Sequence, residues 1–150
     1  STLNLLANLY KNKIDVIKSY DNLPKIECYV DQLNQVFMNL LSNAAQAMPE
    51  ELIKEDKAKI WITTKLEGNN VSITFEDNAC GIAEENLKSI FDPFFTTKSV
   101  GEGTGLGLSI SYGIIEKHNG SITVESTVNV GTKFTIILPV KQKGNQIEES

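Results

Sequence analysis

The sequence predicts a two-layer α/β sandwich, a mixed and mostly antiparallel sheet with helices packed on one face. Two neighbouring stretches alternate with the period of a half-buried strand: Ile60, Ile62, Thr64 and Leu66, then Val71, Ile73 and Phe75. Another stretch has helical spacing, with Leu33, Val36, Phe37, Leu40, Leu41, Ala44 and Met48 recurring along one stripe. Strand pairs interleave with two such helical stretches, and no internal repeat is present.

Taken in order, residues 1–9 read as the end of a linker or helix arriving from upstream. Ile14 and Val16, then Ile26 to Val30, read as two short strands joined by a turn at Asp21-Asn22-Leu23-Pro24. Asp31 is the expected N-cap of the first long helix, and Pro49 follows its end. A charged loop leads to the next two strands, with Asn69-Asn70 as their hairpin turn. The stretch from Asn78 to Gly103 is irregular, with helical character at Glu84–Ile90. A second helix is expected from about Thr104 to His118, stopped by Asn119-Gly120, and strands at Ser121–Ser126 and Thr132–Val140 close the core. The expected domain therefore spans 10–140, followed by a polar, disordered tail over 141–150.

Composition narrows the function. The 150 residues fit one domain, and 41% hydrophobic with 22% charged residues is an ordinary globular balance. No apolar run approaches the roughly 20 residues of a membrane helix. A net charge of −5 argues against nonspecific nucleic-acid binding. All 14 basic residues are Lys, so the chain has no guanidinium to clamp a phosphate. Cys28 and Cys80 are expected as small buried or half-buried fillers, with a reducing cytosol as the compartment. His118, the one histidine, is expected at a helix end, where a cation suits the dipole.

Four constellations carry chemistry. Gln32, Asn39, Asn43 and Gln46 fall together on the first helix, at the edge of its apolar stripe. Asn39 and Asn43, one turn apart, can present two neutral oxygens to a Mg²⁺ that already carries phosphate oxygens. Asp77 continues the inward face of Val71, Ile73 and Phe75, so its carboxylate needs a donor: following backbone amides, or the exocyclic amine of adenine. Gly81, four residues on, permits close approach to a flat base. Gly101-Glu102-Gly103-Thr104-Gly105-Leu106-Gly107-Leu108 opens a helix and offers free amides to phosphates, without the Lys of a P-loop. Phe91-Asp92-Pro93-Phe94-Phe95-Thr96-Thr97-Lys98 places three phenylalanines between two such sites, as anchors of a movable lid, with Lys98 in reach of a phosphate.

In this order the four blocks resemble the N, G1, F and G2 boxes of sensor histidine kinases, and Gly131-Thr132 resembles the last glycine motif of the same domain. The resemblance covers nearly all of 10–140. The F and G2 phrases look like those of kinases related to the nitrogen- and oxygen-responsive subclass. It implies an ATP fold shared with type II topoisomerases, a chaperone family and mismatch-repair ATPases. Asn43 would then bind Mg²⁺ and Asn39 would support it or contact phosphate. Asp77 would recognise adenine N6 beside Gly81 and Ile82, with Thr132 assisting Asp77 directly or through water. Amides from Gly105 through Leu106 and Gly107 to Leu108 would hold the phosphates of ATP. Gln46, Phe95, Thr96, Lys98, Gly103 and Thr104 would complete the nucleotide site, with Lys98 joining Asn39 and Asn43 in the transfer.

Two departures stand out. Ala79 occupies a position where the G1 pattern has glycine, which would cost on the order of 1 kcal/mol if the backbone there needs φ > 0. A histidine followed by an acidic residue, the phosphoacceptor motif, is absent. Members that hydrolyse ATP carry a water-activating glutamate where this chain has Asn39, an amide that cannot take a proton. The resemblance thus implies phosphoryl transfer to a histidine on a separate helical dimerisation domain, with a response regulator downstream. The domain is expected in the cytoplasm without membrane contact of its own, whether or not the full-length parent is anchored to a membrane by other segments. Alternatives on the same fold are an anti-sigma-type serine kinase, a nonenzymatic nucleotide-sensing module and a topoisomerase-like ATPase.

Overall fold

The computed structural model describes residues 13–93, 95 and 107–142. Five strands form one sheet: β1 (Asp15–Tyr20), β2 (Lys59–Glu67), β3 (Asn70–Asp77), β4 (Ser121–Thr127) and β5 (Gly131–Pro139). Their order across the sheet is β1-β2-β3-β5-β4, with β1 parallel to β2 and every other pair antiparallel. The helices are α1 (Val30–Gln46), α2 (Glu50–Lys54), α3 (Glu84–Leu87) and α4 (Gly107–Lys117). The expected architecture holds, a mixed sheet with helices on one face.

Alternation builds the core. Ile60, Ile62, Val71, Ile73, Phe75, Phe134, Ile136 and Leu138 are buried on one face of the sheet, while Ile137 on the other is 38% exposed. The helical stripe of α1 meets that face through Leu33, Val36, Leu40, Leu41 and Ala44, and Phe37 lies 5.6 Å from the Phe75 ring. Ile115 of α4 is fully buried. Because α1 intervenes between β1 and β2, the chain returns in the same direction, which is why that pair is parallel.

Several local expectations are corrected. Ile26–Val30 is not a strand: Glu27 alone bridges to the sheet, its N–H donating to Val140 O at 2.9 Å. Its neighbour Tyr29 is the N-cap of α1 and makes no side-chain cap bond, so Asp31 falls inside the first turn, where a carboxylate suits the dipole. The charged loop after Pro49 contains α2, with Glu50 and Glu51 in its first turn and Lys54 in its last. The hairpin turn is Gly68-Asn69, one residue earlier than expected, because Gly68 takes the left-handed conformation (φ +62°). Helix at Glu84 stops at Leu87. Residues 1–9 and the start of the second long helix lie outside the described residues.

That helix ends as its sequence requires, in a Schellman motif: Gly120 N–H donates to Ile115 O and Asn119 N–H to Glu116 O, with Asn119 at φ +60°. His118 stands at the helix end, as expected, but not as the cation expected there. Its ring is fully buried, with Nδ1 2.8 Å from Ile114 O and Nε2 accepting the Tyr29 N–H at 3.1 Å. A carbonyl only accepts and a backbone N–H only donates, so these two bonds specify the neutral ring protonated on Nδ1. Gln142, within the stretch read as tail, is also buried and donates to His118 O and accepts from Asn119 Nδ2. Cys28 is buried as expected, whereas Cys80 is exposed.

Candidate functional site

Asp77 ends β3 opposite Thr132, the second residue of β5. Alternation from Val71 carries its side chain to the buried face, and it is 8% exposed. Burial there demands hydrogen bonds. Oδ1 accepts two, from Ala79 N–H at 3.0 Å and Thr132 N–H at 3.2 Å, while Oδ2 takes none among the described residues. Desolvation pushes the carboxyl above the usual aspartate range, and the amides of Ala79 and Thr132 pull against that shift.

The loop after Asp77 is held on every side. Asn78 pins it to β2: Oδ1 accepts the Lys59 N–H at 2.9 Å and Nδ2 donates to Lys57 O at 2.8 Å. Cys80 N–H donates to Ala47 O beyond α1, and Cys80 O accepts the Asn129 N–H at 2.8 Å. Gly81 has φ +76°, and a Cβ on it would overlap the carbonyl oxygen of Thr127. Glycine is required there on both counts. Ala79 causes no strain: the non-glycine residues with positive φ among those described are Lys13, Asp56, Asn119 and Asn129. What that position supplies is a backbone N–H for Asp77, which alanine provides as well as glycine.

Ser126, which the sequence did not flag, ties this loop to the sheet. Its Oγ accepts the Ile82 N–H at 2.7 Å, donates to Gly131 O at 2.9 Å and lies 2.8 Å from Thr132 Oγ1. Since the Ser126 hydrogen goes to Gly131, Thr132 is the donor between the hydroxyls. Thr132 therefore meets Asp77 through its backbone, and its side chain serves Ser126.

On the helix side, Asn39 Nδ2 donates to Gly107 O at 3.2 Å and Ser111 Oγ at 3.1 Å, joining α1 to the first described turn of α4. Asn43 is half-buried one turn later and Gln46 is exposed at the end of α1. Gln32, at the other end, has its Oε1 buried without a partner among the described residues. Leu108 and Phe95 are partly buried against the core, as is Phe91, whose ring lies 5.2 Å from Tyr112 and 6.3 Å from Phe134. The structure thus brings together Asp77, Gly81, Ile82 and Thr132 at one sheet end, and Asn39 with Gly107 across the helix pair. Thr96, Lys98, Gly103, Thr104, Gly105 and Leu106, with most of the expected lid, lie outside the described residues. No cluster of three or more His, Cys, Asp or Glu able to hold a metal exists among the described residues.

The chain that carries this geometry matches a known family. Residues 28–142 match the family described as histidine kinase-, DNA gyrase B-, and HSP90-like ATPase, and the chain belongs to it. Sporulation kinase E of Bacillus subtilis (strain 168) is 44% identical over 147 residues, 96% of this chain. The signal transduction histidine-protein kinase AtoS of Escherichia coli (strain K12) is 43% identical over 136 residues, 89% of this chain. The match spans 18% of the first relative and 21% of the second. The nucleotide-free catalytic domain of histidine kinase ThkA has the same fold, with a TM-score of 0.78 and 34% identity over 93% of this chain and 87% of that one.

Proposed function

We propose that this domain binds Mg-ATP and donates its γ-phosphoryl group to a histidine on a separate helical dimerisation domain, as the kinase half of a two-component sensor whose product passes to a response regulator. The observation that carries this reading is Asp77: a buried carboxylate with one oxygen fixed by two backbone amides and the other left for a ligand donor. Adenine's amine supplies such a donor, whereas guanine would turn an acceptor towards it.

Asn39 and Asn43 are suited to Mg²⁺, because the Asn39 Nδ2 is held on Gly107 O and Ser111 Oγ and its oxygen remains to face a cation. Bound Mg²⁺ would supply neutralisation of the phosphate charge. The first described turn of α4, at Gly107 and Leu108, lies towards the positive end of that helix. With an amide at Asn39 rather than a carboxylate, the site holds no base there to activate water, which favours transfer over hydrolysis. His118 is sealed by Ile114 and Tyr29, so the accepting imidazole comes from outside this domain.

Incubation with γ-labelled ATP and the parent kinase's histidine-bearing helical domain tests this. Acid-labile, base-stable label on that domain is expected. Acid-stable label would instead support the serine-kinase reading, and label on His118 would overturn the assignment.

A further inference from the structure

We propose that Ser111 is a positioning residue for the nucleotide site: its hydroxyl sets which end of the Asn39 amide faces the phosphates. The inference deepens the Mg-ATP reading and rests on it. Ser111 lies on the buried stripe of α4, one turn before Ile115, and both are fully buried. Alanine would fill such a position with better helix propensity and no hydroxyl to desolvate, so the hydroxyl needs a reason.

The hydrogen bonds supply one. Ser111 Oγ donates to Gly107 O at 2.8 Å, across one turn of its own helix. Its single hydrogen is thereby spent, and towards Asn39, 3.1 Å away, it can only accept. Gly107 O, 3.2 Å from the same amide, is also an acceptor. Two acceptors side by side admit only the nitrogen of Asn39. A flipped amide would set Oδ1 against both, with two buried repulsive contacts in place of two hydrogen bonds. The pair therefore fixes which end of the amide is which, and leaves Oδ1 beside the first described turn of α4, 4.0 Å from where a Cβ on Gly107 would lie, as the end available to a cation or a phosphate-bound water. The same bonds clasp the helix carrying Asn43 to α4, across 72 residues of sequence.

Ser111→Ala removes one of the two acceptors and leaves the helix intact. Calorimetry on the 150-residue chain should show Mg-ATP bound about three- to tenfold more weakly, the scale of one net hydrogen bond. Affinity for adenosine, which lacks phosphates, should be unchanged, and Ser111→Ala should add nothing in an Asn39→Ala background. If Ser111→Ala fails to fold, Ser111→Cys, nearly isosteric and a weaker acceptor, carries the same comparison. Unchanged Mg-ATP affinity, equal loss for adenosine and Mg-ATP, or a full effect persisting without Asn39 would each overturn the proposal. A wild-type chain that binds no Mg-ATP is a separate failure, of the function reading itself, and is seen before any variant is made.

Discussion

Asp77 and Thr132 are partners in the β3–β5 register, and the Thr132 N–H donates to Asp77 Oδ1 at 3.2 Å. The carboxylate is therefore positioned by the sheet itself, together with the Ala79 N–H. A one-residue slip of β5 would remove that donor and present Asp77 with Gly131 or Lys133.

The carboxylate burdens the empty fold. Its pKa is raised by desolvation, so the native state holds this proton to higher pH than the unfolded chain, whose aspartate titrates near 3.8. Between the two values the native state binds more protons, and stability falls as pH rises. Asn in its place keeps an acceptor for Ala79 and Thr132 without the charge. In thermal melts without nucleotide, Asp77→Asn should gain on wild type as pH rises through that window, then hold a constant lead. A lead that shrinks with rising pH would show the carboxylate to be net stabilised.

Gly81→Ala places a Cβ on the Thr127 carbonyl and forces alanine to φ +76°. The expected cost is on the order of 1–3 kcal/mol in urea unfolding, with nucleotide affinity also lowered. Ala79→Gly should bring no gain in nucleotide affinity, since the backbone there is not left-handed.

His118→Ala removes a fully buried ring and the acceptor of the Tyr29 N–H at the start of α1. A loss of about 2–4 kcal/mol is expected from the cavity and the lost hydrogen bond. The wild-type domain alone, incubated with γ-labelled ATP, should carry no acid-labile label.

Asn43→Ala should abolish the Mg²⁺ dependence of ATP binding while leaving the circular dichroism spectrum unchanged. Undiminished enhancement by Mg²⁺ would place the ligand elsewhere.

Much of this was legible because it is periodic. Alternation through Val71, Ile73 and Phe75 predicts both β3 and the inward turn of Asp77, and the stripe from Leu33 to Ala44 predicts α1 with Asn39 and Asn43 at its edge. Ile26 to Val30 misled, since apolar content without a neighbouring strand leaves a single bridge at Glu27. Ser126 and Ser111 were illegible for a different reason. Their meaning lies in partners 44 and 72 residues away, Ile82 and Asn39, and nothing local distinguishes either from a solvated serine. Likewise His118 was read from its helix end, whereas Tyr29 and Ile114 decide its protonation.

The central claim is an adenine site built on Asp77, and calorimetric titration with Mg-ATP tests it most directly. Saturable binding to the wild-type chain is expected, with GTP binding far more weakly and Asp77→Asn losing roughly 1.5–3 kcal/mol of ATP affinity, the scale of a hydrogen bond to a charged group. No binding by the wild type, or equal ATP affinity in Asp77→Asn, would contradict it.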